Sequence, residues 1–160
     1  MFGIASQGLF CYNLAVVILY REHLKKLEGD TLAVMVNQIS IPLSGITSTI
    51  DWRLNATVSN LIINKKYDGK GGETLLLNTE KALGIPKTII IGTGKGYKND
   101  LSKALKGLQT KNLSIVICKD VKKDKQMIMA EFESQDITCK KATSQKLGNE
   151  TLIILKDIEY

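Results

Sequence analysis

Short apolar runs separated by turn-forming residues recur along most of the chain, and they predict β-strands. The runs occupy residues 13–20, 31–36, 73–77, 88–91, 113–118 and 151–156. The run at 88–91 is continuous and β-branched, which is typical of an interior strand covered on both faces. The glycine-rich stretch at 69–72 has the composition of a plain turn before a strand.

Apolar residues spaced three or four positions apart predict two helices between these strands. The first helix is expected from Ser44, as N-cap, to near Asn64, and the second follows Asn99 as N-cap. Residues 127–133 predict an exposed strand, whereas 134–149 are too polar to assign. Because helices interleave with strands, we expect an α/β fold, a three-layer α/β/α sandwich around a mixed sheet. A length of 160 residues predicts one domain, 1–160.

The charge of the chain favours solvated lysine faces over a nucleic-acid surface. Lysine and arginine total 22 against 16 acidic residues, which gives a net charge of +6. The lysines are scattered, and Arg21 and Arg53 alone could make forked contacts to bases. We therefore expect no nucleic-acid partner, with a surface that binds nucleic acid or another polyanion as the alternative.

The cysteines predict a reducing compartment. Cys11, Cys118 and Cys139 are odd in number and form no Cys-x-x-Cys pair, so neither a disulfide framework nor a zinc site is indicated. The apolar stretch at 9–20 is too short to span a bilayer, and charged residues follow it instead of preceding it. We expect a cytoplasmic protein with no membrane partner and interpret the stretch as a buried strand, with a membrane or export segment as the alternative.

A glycine-rich turn is the candidate ligand site, formed by Gly92, Thr93, Gly94, Lys95 and Gly96. Backbone without side chains can approach a phosphate, and the helix that follows would offer free N–H groups. The turn matches neither a P-loop nor the dinucleotide-binding fingerprint. A purely structural strand-to-helix turn is the alternative.

Other residues of chemical interest have simpler structural explanations. The lone His23 excludes any site that needs two histidines, and we expect it to face solvent. Glu131 and Glu133 would share one face of the predicted strand and could bind a hard cation, although a solvent-facing edge is the simpler interpretation. Trp52 is expected to be partly buried and Cys118 to be a small core residue. No catalytic residue, metal ligand or cofactor is predicted.

An ordered series of motifs resembles the N-terminal domain of the leucyl aminopeptidase family. The motifs are Leu43-Ser44-Gly45, Asp51-Trp52-Arg53-Leu54-Asn55, Gly69-Lys70-Gly71-Gly72-Glu73-Thr74-Leu75-Leu76-Leu77 and Thr88-Ile89-Ile90-Ile91-Gly92-Thr93-Gly94-Lys95. The resemblance covers roughly residues 24–120. It implies a macro-domain-like α/β fold, in agreement with the order of elements predicted above.

The resemblance implies a role without catalysis. In the family, two metal ions hydrolyse peptides in the C-terminal domain, and we expect that domain to be absent. Asn78-Thr79-Glu80 resembles the start of the family's catalytic signature but lacks the glycine and arginine that follow.

Three functions are open at this point. The leading expectation is a non-catalytic binding or assembly module that forms a homo-oligomer or associates with a protein partner, since the relatives are hexameric. The alternatives are a macro-like domain that binds ADP-ribose or another phosphate-containing small molecule at the turn 92–96, and one part of a split or degraded aminopeptidase.

Overall fold

A computed structural model describes residues 24–94 and 100–160, apart from the side chain of Asp100. Within these residues the chain forms six strands and five helices. In chain order they are β1 (Thr31–Val36), α1 (Gly45–Arg53), α2 (Thr57–Ile63), β2 (Thr74–Asn78), α3 (Glu80–Leu83), β3 (Lys87–Gly92), α4 (Asp100–Leu108), β4 (Leu113–Ile117), α5 (Lys125–Ser134), β5 (Thr138–Leu147) and β6 (Glu150–Glu159).

The six strands form one mixed sheet in the order β2-β3-β1-β4-β6-β5. β1 lies at its centre and pairs in parallel with β3 and with β4. The remaining pairs, β2 with β3, β4 with β6 and β5 with β6, are antiparallel. β3 is therefore an interior strand, as its continuous apolar run predicts.

Both faces of the sheet are covered, which confirms the three-layer α/β/α arrangement. Successive side chains of a strand point to opposite faces, so Leu32 and Val34 of β1 join one core cluster whereas Ala33 and Met35 join the other. Apolar residues of α1, α2 and α3 pack on the first face. Those of α4 and α5 pack on the second.

The single long helix predicted from Ser44 to Asn64 is wrong, because the chain breaks it into α1 and α2. Asn55 and Ala56 adopt left-handed backbone conformations, with φ of 52° and 61°. The Asp51 carboxylate supports the break, since it accepts hydrogen bonds from the backbone N–H and the hydroxyl of Ser59. The apolar spacing continues across the break, so periodicity alone did not reveal it.

The exposed strand predicted at 127–133 is also wrong, because this segment belongs to α5. Asp124 caps the helix by accepting a hydrogen bond from the Met127 N–H at 2.8 Å. Ile128 and Phe132, four residues apart, are both fully buried. The segment left unassigned at 134–149 contains β5, a ten-residue edge strand.

Several predictions concern residues outside the described ranges. These are the strand at 13–20, the position of His23 and the N-cap at Asn99. In the described part of the chain, the helices are too short or too polar to cross a membrane.

Candidate functional site

A cleft of about 650 Å³ opens where β1 and β4 end side by side. Four segments line it: residues 36–40 after β1, residues 42–45 and 47 around the start of α1, residues 118–120 after β4, and residues 147–150 in the turn between β5 and β6.

The topology explains why a cleft forms at this point. The chain leaves β1 towards α1 on one face of the sheet and leaves β4 towards α5 on the other. The two connections diverge, so a crevice remains between the carboxyl ends of these neighbouring parallel strands. In open α/β sheets, such a crevice is the usual position of a ligand.

Glu150 is the buried carboxylate of the cleft and holds the start of α1. It is the first residue of β6 and only 6% exposed. Its Oε1 accepts a hydrogen bond from the Ile46 N–H at 3.0 Å. Gly45 has a φ of +60°, and a Cβ there would collide with Glu150 Oε1. Ser44 occupies the N-cap position as predicted, but its side chain makes no capping hydrogen bond.

Burial raises the pKa of the two least exposed ionisable groups that line the cleft, Glu150 and Cys118. Loss of solvent raises the pKa of the Glu150 carboxyl, although hydrogen bonds from the Ile46 N–H and the Cys118 thiol partly oppose the shift. Burial raises the pKa of the Cys118 thiol, and the Glu150 carboxylate raises it further. Cys118 is partly buried, so its predicted core position is approximately right. The thiol is held protonated at neutral pH.

The glycine-rich turn lies beside the cleft and packs against backbone. The Thr93 N–H and hydroxyl both donate to the Val36 carbonyl, at 2.7 and 3.0 Å. A Cβ on Gly92 would collide with the carbonyl oxygens of Gly69 and Lys70, and one on Gly94 would lie 2.8 Å from the Gly71 Cα. Close backbone contact therefore requires these two glycines.

The ligand role of this turn stays a prediction. Gly92, Thr93 and Gly94 are described and do not line the cleft, whereas Lys95 and Gly96 lie outside the described residues.

Glu131 plays the same structural part at α4 that Glu150 plays at α1. It is 8% exposed, and its Oε1 accepts a hydrogen bond from the Ser102 N–H at 3.1 Å. Lys123 lies 3.5 Å from its other oxygen. The strand face that Glu131 and Glu133 were expected to share is wrong, because both residues lie on α5, where side chains two positions apart point in different directions. The favoured solvent-facing position is also wrong for Glu131, which is buried.

Trp52 is exposed, not partly buried as predicted. Its side chain is 68% accessible, and the Arg53 guanidinium lies 5.4 Å from the ring centroid. Asp51 turns inward to Ser59 and is not a solvated charge. Within residues 24–94 and 100–160, no three histidine, cysteine or acidic side chains lie close enough together to bind a metal ion.

Local sequence gives no signal for the role of Glu150. It is 104 residues from Ile46, and it stands directly before an apolar strand in a polar turn. The positive φ of Gly45, which makes room for the carboxylate, is visible only in three dimensions.

Comparison with known proteins finds a partial similarity. No protein-family model matches the chain. Residues of this chain are 27% identical over 67 positions to a probable cytosol aminopeptidase of Nostoc punctiforme and, to the same extent, to one of Trichormus variabilis. The matched stretch covers 42% of this chain and 14% of the length of each relative. The similarity is therefore to a small portion of a cytosol aminopeptidase, in agreement with the resemblance in the sequence motifs.

Proposed function

We propose that this chain is a non-catalytic cytoplasmic binding module that holds a small molecule in the cleft between β1 and β4. The observation that carries the proposal is the cleft itself, with a volume of about 650 Å³ at the point where the connections diverge. Ligand pockets of proteins commonly have volumes of roughly 300–1,000 Å³. Apolar side chains such as Val36 and Leu147 line it together with polar ones such as Asn37 and Asn149.

Two observations favour binding without catalysis. The raised pKa of the Cys118 thiol makes it a poor nucleophile at neutral pH. The similarity to cytosol aminopeptidases extends over 14% of their length, so it supports peptide hydrolysis by this chain only weakly. The purified chain is expected to release no p-nitroaniline from leucine p-nitroanilide, with or without added zinc or manganese. Release proportional to protein concentration would contradict the proposal.

Ligand binding is tested by nuclear magnetic resonance of the ¹⁵N-labelled chain, titrated with ADP-ribose, L-leucinamide and N-acetyl-L-leucinamide. A bound molecule is expected to shift the amides of Gly148 and Asn149 at the mouth of the cleft. Ser40→Trp places an indole at the lining and should abolish the shifts. Thr143→Trp, on the exposed edge strand β5, is the matched control and should preserve them. Unchanged Gly148 and Asn149 signals with all three compounds would overturn the proposal.

Assembly is a second candidate function, favoured by the exposed pair of Trp52 and Arg53. Tryptophan and arginine are enriched at the energetic centres of protein interfaces, and Arg53 has a buried Nε without a hydrogen-bond partner. The partner under this hypothesis is a second copy of the chain or a separately encoded catalytic chain.

Light scattering tests the self-association form of this hypothesis. We expect a mass that is a multiple of 17.7 kDa, reduced by Trp52→Ala because the indole would leave the interface. Met127→Ala removes an exposed apolar side chain from α5 on the other face and should leave the mass unchanged. A wild-type chain that stays at 17.7 kDa at high concentration would exclude self-association.

A further inference from the structure

We propose that the cleft selects small molecules that carry a positively charged amino group, and that Glu150 is the residue that recognises this group. The proposal rests on the binding function proposed above and names the chemical class of its ligand. It differs from the phosphate-containing ligand that the glycine-rich turn suggests.

The first argument is that a carboxylate already occupies the N-terminus of α1, the position where a phosphate would otherwise bind. The N-terminus of a helix attracts phosphate through its free N–H groups and its partial positive charge. At α1 this position is taken by the Glu150 carboxylate, bonded to the Ile46 N–H. A phosphate would have to approach this carboxylate closely, and the repulsion between two negative charges at short distance is strong in a partly buried site.

A buried carboxylate bonds in the same way near the start of α4, which follows the parallel strand β3. Glu131 accepts from the Ser102 N–H near the start of α4. Lys123 lies within 3.5 Å of Glu131 and supplies a counter-charge. Among the described residues, no ion pair joins Glu150 to a lysine or arginine, so its charge lacks the partner that Glu131 has.

The second argument is the unused binding capacity of Glu150. An ionised carboxylate offers about four lone-pair positions. The Ile46 N–H uses one of them, and the Cys118 thiol is a second neighbour that hydrogen-bonds to the carboxylate, so about two positions remain for a ligand. A cation placed against a desolvated carboxylate favours its charged form and offsets the cost of burial. An ammonium group brings three N–H donors, and charge-assisted hydrogen bonds of this kind are the strong ones.

The charge and the apolar side chains of the remaining lining residues also suit a small amine. Asp120 adds a second negative charge, and Lys119 adds one positive charge, so the three charged lining residues sum to −1. Val36, Ile39 and Leu147 are buried and line the same cleft, where they could contact a short alkyl chain. L-Leucinamide combines an ammonium group with such a chain. N-acetyl-L-leucinamide keeps the chain and the amide but has no charge.

The experiment compares these two compounds and ADP-ribose by calorimetry and by the shifts of the Gly148 and Asn149 amides. L-Leucinamide is expected to bind the wild-type chain at least about tenfold more tightly than its N-acetyl derivative, which is the effect of one charge-assisted hydrogen bond. Glu150→Gln removes the charge but keeps an acceptor for Ile46, and it should weaken L-leucinamide by at least about tenfold.

Glu131→Gln is the matched control. It neutralises a buried carboxylate that also bonds to a helix N–H, but it lies outside the lining of the cleft. We expect it to change stability and to leave L-leucinamide binding within about twofold of wild type. A loss of binding in both variants would mean that destabilisation, not the lost charge, is the cause, and would overturn the role of Glu150.

The outcomes separate this inference from the binding function on which it rests. Equal binding of the two leucinamides to the wild-type chain, or tighter binding of ADP-ribose at Gly148 and Asn149, would overturn the inference and leave the binding function standing. Absence of any shift at these amides with all three compounds would overturn both. The comparison of the two leucinamides uses the wild-type chain, so it tests the preference for a charged amino group even where Glu150→Gln does not fold.

Discussion

Replacing Gly92 with alanine is expected to destabilise the fold by about 3 kcal/mol, at the upper end of the usual cost of overpacking. The new Cβ would collide with the carbonyl oxygens of Gly69 and Lys70. Those oxygens belong to backbone that is tied to β3, since the Gly72 N–H donates to the Gly92 carbonyl at 2.7 Å. If the loop moved to relieve the collision, the hydrogen bond between the Gly72 N–H and the Gly92 carbonyl would therefore break. Urea denaturation followed by circular dichroism measures the loss.

Gly107→Ala is the control for this prediction. Gly107 lies on α4, is exposed, and a Cβ there meets nothing within 4 Å. Alanine is the better helix former, so this variant should be about 0.5–1 kcal/mol more stable than wild type. A Gly92→Ala chain as stable as wild type would contradict the close packing of the two glycine-rich segments. The expected loss of stability would mean that Gly92 is needed for packing, independently of any ligand.

The interior strands could be predicted from sequence because burial on both faces makes every position apolar. The run at 31–36 coincides with β1, whose six residues are all buried. The run at 88–91 lies within β3 for the same reason. Such runs need no information about partners in the sheet. The order of elements then leads to the three-layer fold, because alternating strands and helices have few other ways to cover both faces.

Helix α5 was missed because its composition carries two competing patterns. Glu131, Phe132 and Glu133 alternate between polar and apolar, as an exposed strand does. The helical signal is the spacing of four between Ile128 and Phe132, together with Asp124 as a cap. Glu131 lies on the buried side of α5, where it bonds to the start of α4. From sequence alone a glutamate is expected to face solvent, so the buried face of α5 could not be recognised.

The cleft could not be predicted, because its key contact joins distant parts of the chain. The sequence around α1 correctly indicates Ser44 as the N-cap residue, with an extended backbone at φ −134° and ψ 164°. The acceptor that satisfies the helix, however, comes from Glu150 on β6. N-cap preferences identify a capping residue from the local sequence. A side chain from the sheet can take over the hydrogen bond when the fold brings it close to the helix start, as Glu150 does here.

Replacing Phe132 with alanine is expected to cost about 3–5 kcal/mol, the usual range for a large-to-small change in a core. Phe132 is among the largest fully buried side chains of the described residues. It belongs to the core cluster between α4, α5 and the sheet. Removal of the ring would leave a cavity that its neighbours fill only in part. For a chain of this length the loss corresponds to a fall in Tm of roughly 6–20 °C, measurable by scanning calorimetry.

Met127→Ala is the matched variant on α5 and tests whether Phe132 faces the core while Met127 faces solvent. The Met127 side chain is 51% exposed, and the contact of this residue with Asp124 uses its backbone N–H, which alanine keeps. The variant should therefore stay within about 0.5 kcal/mol of wild type. Comparable losses at both positions would mean that residues 127–133 bury both faces, as a strand inside the sheet would. A large loss at Phe132 alone is the result expected of α5, which buries Phe132 and leaves Met127 exposed.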